Sequence, residues 1–212
     1  KLMVDANQAW SLDEALAFAP RLQPYRLAWL EEPLRADSAT PDWHVLAQAS
    51  TTPLAGGENL IGEPAFASAI DAGALAVVQP DVAKWGGISG CRRVIERITR
   101  AGRCYCPHYL GAGVGLTASA HLLAAYPGAG ERRGLLEIDG NRNPLRTLLA
   151  PMLATLRDGG IELGRAHRAV LGTRRDGFAA LAGSREPEPA DVALGQHHGG
   201  VENELPPLEV DP

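Results

Sequence analysis

Six apolar runs in this chain each end on a polar residue able to do chemistry. "KLMVDAN" ends at Asp5, "LAWLEEP" at Glu31, "PLAGGEN" at Glu58, "LAVVQPD" at Asp81, "RCYCPHY" at His108 and "GLLEIDG" at Glu137, at intervals of 26, 27, 23, 27 and 29 residues. That period leaves room for one strand, a loop and one crossover helix. The intervening segments read as helices. Ser11 and Glu14 make an S-x-x-E capping box for "SLDEALAFAPRL", "EPAFASAIDAG" stops at Gly73, and "SGCRRVIERITRAG" runs from Ser89 to Gly102. Strands alternating with helices predict a parallel α/β architecture. Chemistry at the end of every strand narrows this to a TIM-type (β/α) barrel, whose functional groups gather on the C-terminal rim.

Charge and composition remove other classes. The chain has 20 Lys and Arg against 25 Asp and Glu, a formal charge of −5, and no basic run. That gives no electrostatic case for nucleic acid or an anionic membrane. No apolar stretch reaches membrane-spanning length and no signal-peptide layout opens the sequence. Three cysteines, Cys91, Cys104 and Cys106, lack zinc-ribbon spacing and read as reduced thiols of a cytoplasmic protein.

A closed barrel of this kind has eight strand-and-helix units, and six are recognisable here. Lys1 opens inside a strand, so the chain is expected to be a partial barrel, the C-terminal portion of something longer. Residues 1–146 carry the six site residues, and 147–165 are expected to form a helix and a returning strand. Residues 166–212, rich in Pro, Gly and acids toward the end, are predicted to be a disordered tail in which His197 and His198 are incidental.

The residue types on the rim indicate the chemistry. Asp5, Glu31 and Glu58 end three successive units, and neighbouring parallel strands stand about 4.8 Å apart, so three tips can converge on one ion. An all-carboxylate set favours Mg²⁺, or Mn²⁺, over Zn²⁺. Glu32 competes with Glu31 for the ligand role, but strand alternation lets only one of them face the ion. The next units supply Asp81 and His108. A histidine is the natural base near neutral pH, and a carboxylate one strand away can fix its tautomer. Glu137 is either an acid kept protonated across the rim or a salt-bridge partner. His44 and His121 fall in helix-like stretches and read as packing or surface residues. Asn7, Glu32 and Lys84 stand beside these groups as residues that would support the ligands or touch substrate.

Taken together, "VDANQAW", "WLEEPL", "GGEN", "QPDVAKWGGISG", "CPHYLGAGVGLTASAHLLAA" and "LLEID" resemble the barrel domain of the enolase superfamily. The likeness is to the mandelate racemase branch of the mandelate racemase/muconate lactonizing enzyme family, and it spans residues 1 to about 146. It implies an enolase C-terminal domain-like barrel lacking its first strands and its N-terminal capping domain. Magnesium would sit on Asp5, Glu31 and Glu58, Asp81 and His108 would be the general-base dyad, and Glu137 would be the electrophilic partner near the substrate carboxylate. A base lysine would stand near Asp81 in the muconate-lactonizing type. The implied reaction is Mg²⁺-dependent removal of the α-proton of an α-hydroxy acid through an ene-diolate, ending in dehydration or in racemisation or epimerisation. The family's opposite-face lysine, in a K-x-K motif, belongs to a region before Lys1. The usual return after the barrel is not recognisable past Gly164. The expected partner is a small hydroxy acid, within a homo-oligomer when intact. Two other readings are an inactive barrel remnant and a barrel metallohydrolase, the latter disfavoured by the histidine-free ligand set.

Overall fold

The computed structural model describes residues 1–161, 163 and 193–197. Five strands, β1 (Val4–Asp5), β2 (Leu30–Glu31), β3 (Leu54–Gly56), β4 (Val77–Val78) and β5 (Cys104–Tyr105), form one parallel sheet in sequence order. The helices between them are α1 (Leu12–Leu22), α2 (Thr40–Ala49), α3 (Glu63–Ala72) and α4 (Gly87–Arg100), and α5 (Gly113–Ala125) follows β5. Each helix packs on the next, α1 on α2 through to α4 on α5, which is the outer wall of a (β/α) barrel.

Local chemistry explains the elements. Ser11 Oγ accepts from the Glu14 N–H, and the Ser11 N–H donates to Glu14 Oε2 at 2.8 Å, so the expected capping box opens α1. Gly73 closes α3 in the left-handed conformation, as its position suggested. Helix α4 buries Cys91, Val94, Ile95 and Ile98, an i, i+3, i+4, i+7 stripe, and leaves Arg92, Arg93 and Arg100 exposed. Each fully buried aliphatic on that stripe contributes roughly 1.5–3 kcal/mol. The helix begins at Gly87, two residues before the expected Ser89, because the turn through Gly86 (φ 75°) and Gly87 (φ 55°) feeds straight into it.

The two faces of the sheet do different work. Leu30, Leu54, Val78 and Tyr105 face the helices and join the large core. Trp29, Ala55, Val77, Cys104 and Cys106 face the other way and form a second cluster with Met3, Ala28 and Leu135. This second cluster is the barrel interior. All three cysteines are free and buried, matching the reading of reduced thiols.

The sixth strand departs from the simplest expectation. Strand β6 (Leu135–Asp139) does not join the five-stranded ladder. It pairs in parallel with β7 (Ala193–His197), with Leu135 opposite Ala193. Its start nevertheless lies against β5: a Cβ on Gly134 would collide with the Tyr105 carbonyl oxygen, and the Leu135 N–H donates to Cys106 Sγ. Within the stretch expected to be a disordered tail, residues 193–197 are therefore a strand, and the rest of 166–212 lies outside the described residues. The helix expected within 147–165 starts earlier, as α6 (Pro144–Leu149), because Asn143 caps it by accepting the Arg146 N–H and Pro144 opens its first turn, and a 3-10 turn follows at Pro151–Thr155. In place of a returning strand, the described residues show a single bridge between Arg157 and Gly160.

Candidate active site

Strand parity delivers the site. Side chains two apart on a strand share a face. Stepping by twos from the interior cluster leads from Met3 to Asp5, from Trp29 to Glu31, from Val77 through Gln79 to Asp81, from Cys104 through Cys106 to His108, and from Leu135 to Glu137. Five of the six rim residues thus inherit the inward direction from an apolar interior residue below them. Glu58 breaks the parity, since Ala55 faces inward and 58 is an odd step away. Gly57 between them has φ +123°, which a side chain rarely adopts, and that twist turns Glu58 toward the rim. A Cβ on Gly57 would also come within 3.2 Å of the Gln79 backbone nitrogen.

Asp81 and His108 face each other across neighbouring strands. The β4–β5 register pairs Val77 with Cys104, and the same offset of 27 residues reappears in an isolated bridge between Asp81 and His108. Neither Pro80 nor Pro107 shifts it. Asp81 Oδ2 meets His108 Nδ1 at 2.7 Å, and both residues are buried. Asp81 Oδ1 accepts the backbone N–H groups of Ala83 at 2.6 Å and Lys84 at 3.1 Å. Burial opposes the charge on Asp81, but hydrogen bonds from His108, Ala83 and Lys84 outweigh it and lower its pKa. For His108, burial again opposes charge, and the bond to Asp81 with the fields of Glu58 and Glu137 raises its pKa above the ordinary 6.5.

The other ring nitrogen, Nε2, lies 3.0 Å from Glu58 Oε2 and 3.9 Å from Glu137 Oε2. Glu137 also accepts the Tyr109 N–H at 3.1 Å. Glu58 Oε1 accepts from Lys84 Nζ at 2.8 Å and from Asn59 Nδ2 at 3.3 Å. Glu31 and Glu32 diverge as alternation requires. Glu31 takes a hydrogen bond from the Trp29 indole N–H at 2.8 Å, inside the barrel. Glu32 (φ 37°) accepts from Asn59 Nδ2 at 3.0 and 3.1 Å and lines a cavity of about 220 Å³ between α2 and α3. Its carboxyl is raised mainly by burial. Asn7 donates its N–H to Asp5 Oδ1 at 2.8 Å, holding the first acid in place. His44 lies on α2 and His121 on α5, both half-buried, within the stretches that read as helical.

A divalent cation fits the donor chemistry of this rim. The donors are hard carboxylate oxygens, and their mutual crowding calls for positive charge. Burial pushes the Glu31 carboxyl up to about 7, with Asp5 and Glu137 adding repulsion and bonds from Gln79 and Trp29 opposing the rise. Gln79 Oε1, buried beside Glu31, has no hydrogen-bond partner. A finished coordination shell is another matter. Among the described residues no three histidines, cysteines or acids stand together as one, and both Glu58 oxygens are engaged by Lys84, Asn59 and His108.

Three residues that position this site carry no catalytic signature of their own: Trp29, Asn59 and Gln79. Trp29 and Gln79 stand two residues before Glu31 and Asp81, so parity from the rim acids would have found them. Asn59 works sideways, between Glu32, Glu58 and Lys84, and periodicity along one strand contains no signal for that.

Comparison with known proteins agrees with this fold. Residues 1–167 match the profile of the family described as enolase C-terminal domain-like. The D-galactarolactone cycloisomerase of Agrobacterium fabrum is 31% identical over 179 residues, covering 78% of this chain and 47% of that protein. The crystal structure of a mandelate racemase/muconate lactonizing enzyme from Bordetella bronchiseptica RB50 superimposes with a TM-score of 0.72 at 59% identity, over 74% of this chain and 43% of that one. L-Talarate dehydratase from Polaromonas sp. JS666, solved with Mg and L-glucarate, gives a TM-score of 0.58 at 31% identity, over 65% of this chain and 36% of that one. The chain thus spans less than half the length of these relatives.

Proposed function

The chain belongs to the enolase C-terminal domain-like family, and from that premise we propose that it is the barrel portion of an enzyme removing the α-proton of an acid-sugar hydroxy carboxylate. Dehydration is the preferred outcome, with racemisation or epimerisation second. The observation that carries the reading is His108, held at Nδ1 by Asp81 and presenting Nε2 to the rim acids. The relatives' names, a galactarolactone cycloisomerase and a talarate dehydratase, support the acid-sugar class.

A magnesium ion held by Asp5, Glu31 and Glu58 would supply positive charge to the substrate carboxylate and make the adjacent C–H more acidic. The remaining work falls to the chain's own groups. Asp81 occupies Nδ1 and so fixes Nε2 as the atom that moves the proton. With Nε2 unprotonated, His108 would take the α-proton there as base and hand that same proton to the departing β-hydroxyl as acid, so that water leaves. The support for dehydration is the talarate dehydratase among the relatives. Glu137, pinned by the Tyr109 N–H, lies close enough to steer the substrate end nearest His108.

The test is exchange of the α-proton with solvent deuterium, using the purified protein, Mg²⁺ and a panel of acid sugars. His108→Asn should lower the exchange rate on the order of 10²–10⁴-fold. Undiminished exchange in that variant, or no exchange by the parent protein with any member of the panel, would overturn the proposal.

A further inference from the structure

Lys84 touches the site twice. Its backbone N–H donates to Asp81 Oδ1 at 3.1 Å, and its ammonium reaches Glu58 Oε1 at 2.8 Å and Asn59 Oδ1 at 3.1 Å. Asp81 Oδ2 holds His108 Nδ1 at 2.7 Å, and Glu58 Oε2 holds His108 Nε2 at 3.0 Å. These contacts close a ring: His108 to Asp81, Asp81 to Lys84, Lys84 to Glu58, and Glu58 back to His108. Lys84 is the member that joins the two acids. It also makes the two oxygens of Glu58 different, since Oε1 is bound by Lys84 and Asn59 while Oε2 is left to face the rim.

We propose that Lys84 is a positioning residue that commits Glu58 Oε1, so that Oε2 alone is presented to His108 and to a divalent cation. The part that concerns the cation rests on the reading of Glu58 as a metal ligand. The part that concerns His108 does not. Several neighbouring side chains make simpler contacts. Arg93 and Arg97, on the helix wall, also pair with single acids, Glu63 and Asp71, but those pairs are exposed and far along α4 from the rim. Surface pairs of that kind contribute little. Lys84 differs because its partner Glu58 is mostly buried, at 15% side-chain exposure, and touches the catalytic imidazole.

Two opposite effects follow from removing the ammonium, and their signs separate positioning from simple charge. Loss of a positive charge beside the rim would by itself tighten binding of a cation. Loss of the bond that fixes a ligating carboxylate weakens it, typically by 10–100-fold. The geometry favours the second, because without Lys84 the Glu58 carboxylate is free to rotate and offer its oxygens in alternating poses.

The experiment uses the full chain with Lys84→Met and Lys84→Arg, and two readouts. The first is the ¹H–¹⁵N spectrum of histidine-labelled protein at fixed pH without metal, the His108 signals being assigned by their loss in His108→Asn. Lys84→Met should shift the His108 Nε2 signal and leave those of His44 and His121 in place, while Lys84→Arg, which can still reach Glu58, should restore it. The second is calorimetric titration with Mg²⁺, where Lys84→Met should bind about tenfold more weakly and Lys84→Arg close to the parent. An unchanged His108 signal in Lys84→Met would make Lys84 an ordinary ion-pair partner and overturn the proposal. Tighter Mg²⁺ binding in Lys84→Met would overturn it as well. If the parent binds no Mg²⁺, the metal reading of Glu58 falls, and the spectrum still decides the role of Lys84 toward His108.

Discussion

Glu31→Gln should make the metal-free protein more stable, and only above acidic pH. In the folded chain burial holds this carboxyl at about 7 against an ordinary 4.5. The folded state therefore keeps the proton more tightly than the unfolded one. Stability is full below about pH 4.5, falls as the pH rises toward 7, and levels off beyond it. The total loss corresponds to about 3 kcal/mol, a large share of the 5–15 kcal/mol typical of a domain. An amide of the same shape never ionises and escapes this cost. Its oxygen can still accept from the Trp29 indole, and once the Gln79 amide, whose NH₂ now bonds Glu31, turns over, the new NH₂ can donate to the Gln79 Oε1 that has no partner at present. Urea unfolding in EDTA should show the variant about 3 kcal/mol more stable than the parent at pH 8 and nearly equal to it at pH 4. Added Mg²⁺ should stabilise the parent and not the variant. An equal gain at both pH values, or no gain at pH 8, would show that burial of this carboxylate is not the source of the strain.

Two further expectations follow. Asp81→Asn should lower proton exchange no more than His108→Asn does, and adding it to His108→Asn should cost little further, because groups acting as one unit are strongly non-additive; independent multiplicative losses in the double variant would refute the dyad. Gly57→Ala should cost about 1–3 kcal/mol in thermal or urea unfolding, since a side chain would have to adopt φ +123° beside the Gln79 nitrogen, and it should weaken Mg²⁺ binding by turning Glu58 away; a neutral effect on both would show that Gly57 does not aim Glu58.

Much of this architecture is legible in the residues because one constraint repeats. A parallel strand must end where its crossover begins, so each apolar run places its terminal acid or histidine on the same rim, and the offset of 27 residues between Asp81 and His108 equals the strand register itself. Ser11 with Glu14 and the glycine at 73 mark helix ends by chemistry that acts within a few residues, and these too were readable. The lateral contacts were not. Asn59 bridging Glu32 and Glu58, or Lys84 reaching Glu58 from the next unit, depends on how far neighbouring strands are offset, which no single segment encodes. The pairing of β6 with residues 193–197 was hidden for another reason. "ALGQH" is short and contains a glycine and a glutamine, so neither alternation nor β-branching announces a strand.

The indole of Trp29 sits directly beneath the rim with its N–H on Glu31 Oε2. Indole emission responds to the charge of a group bonded to its nitrogen. The bond that steadies Glu31 therefore also turns Trp29 into an indicator. Whatever happens to that carboxylate, whether it gains a proton, gives one up or binds a cation, is written into the light one tryptophan emits, with no dye and no substrate required.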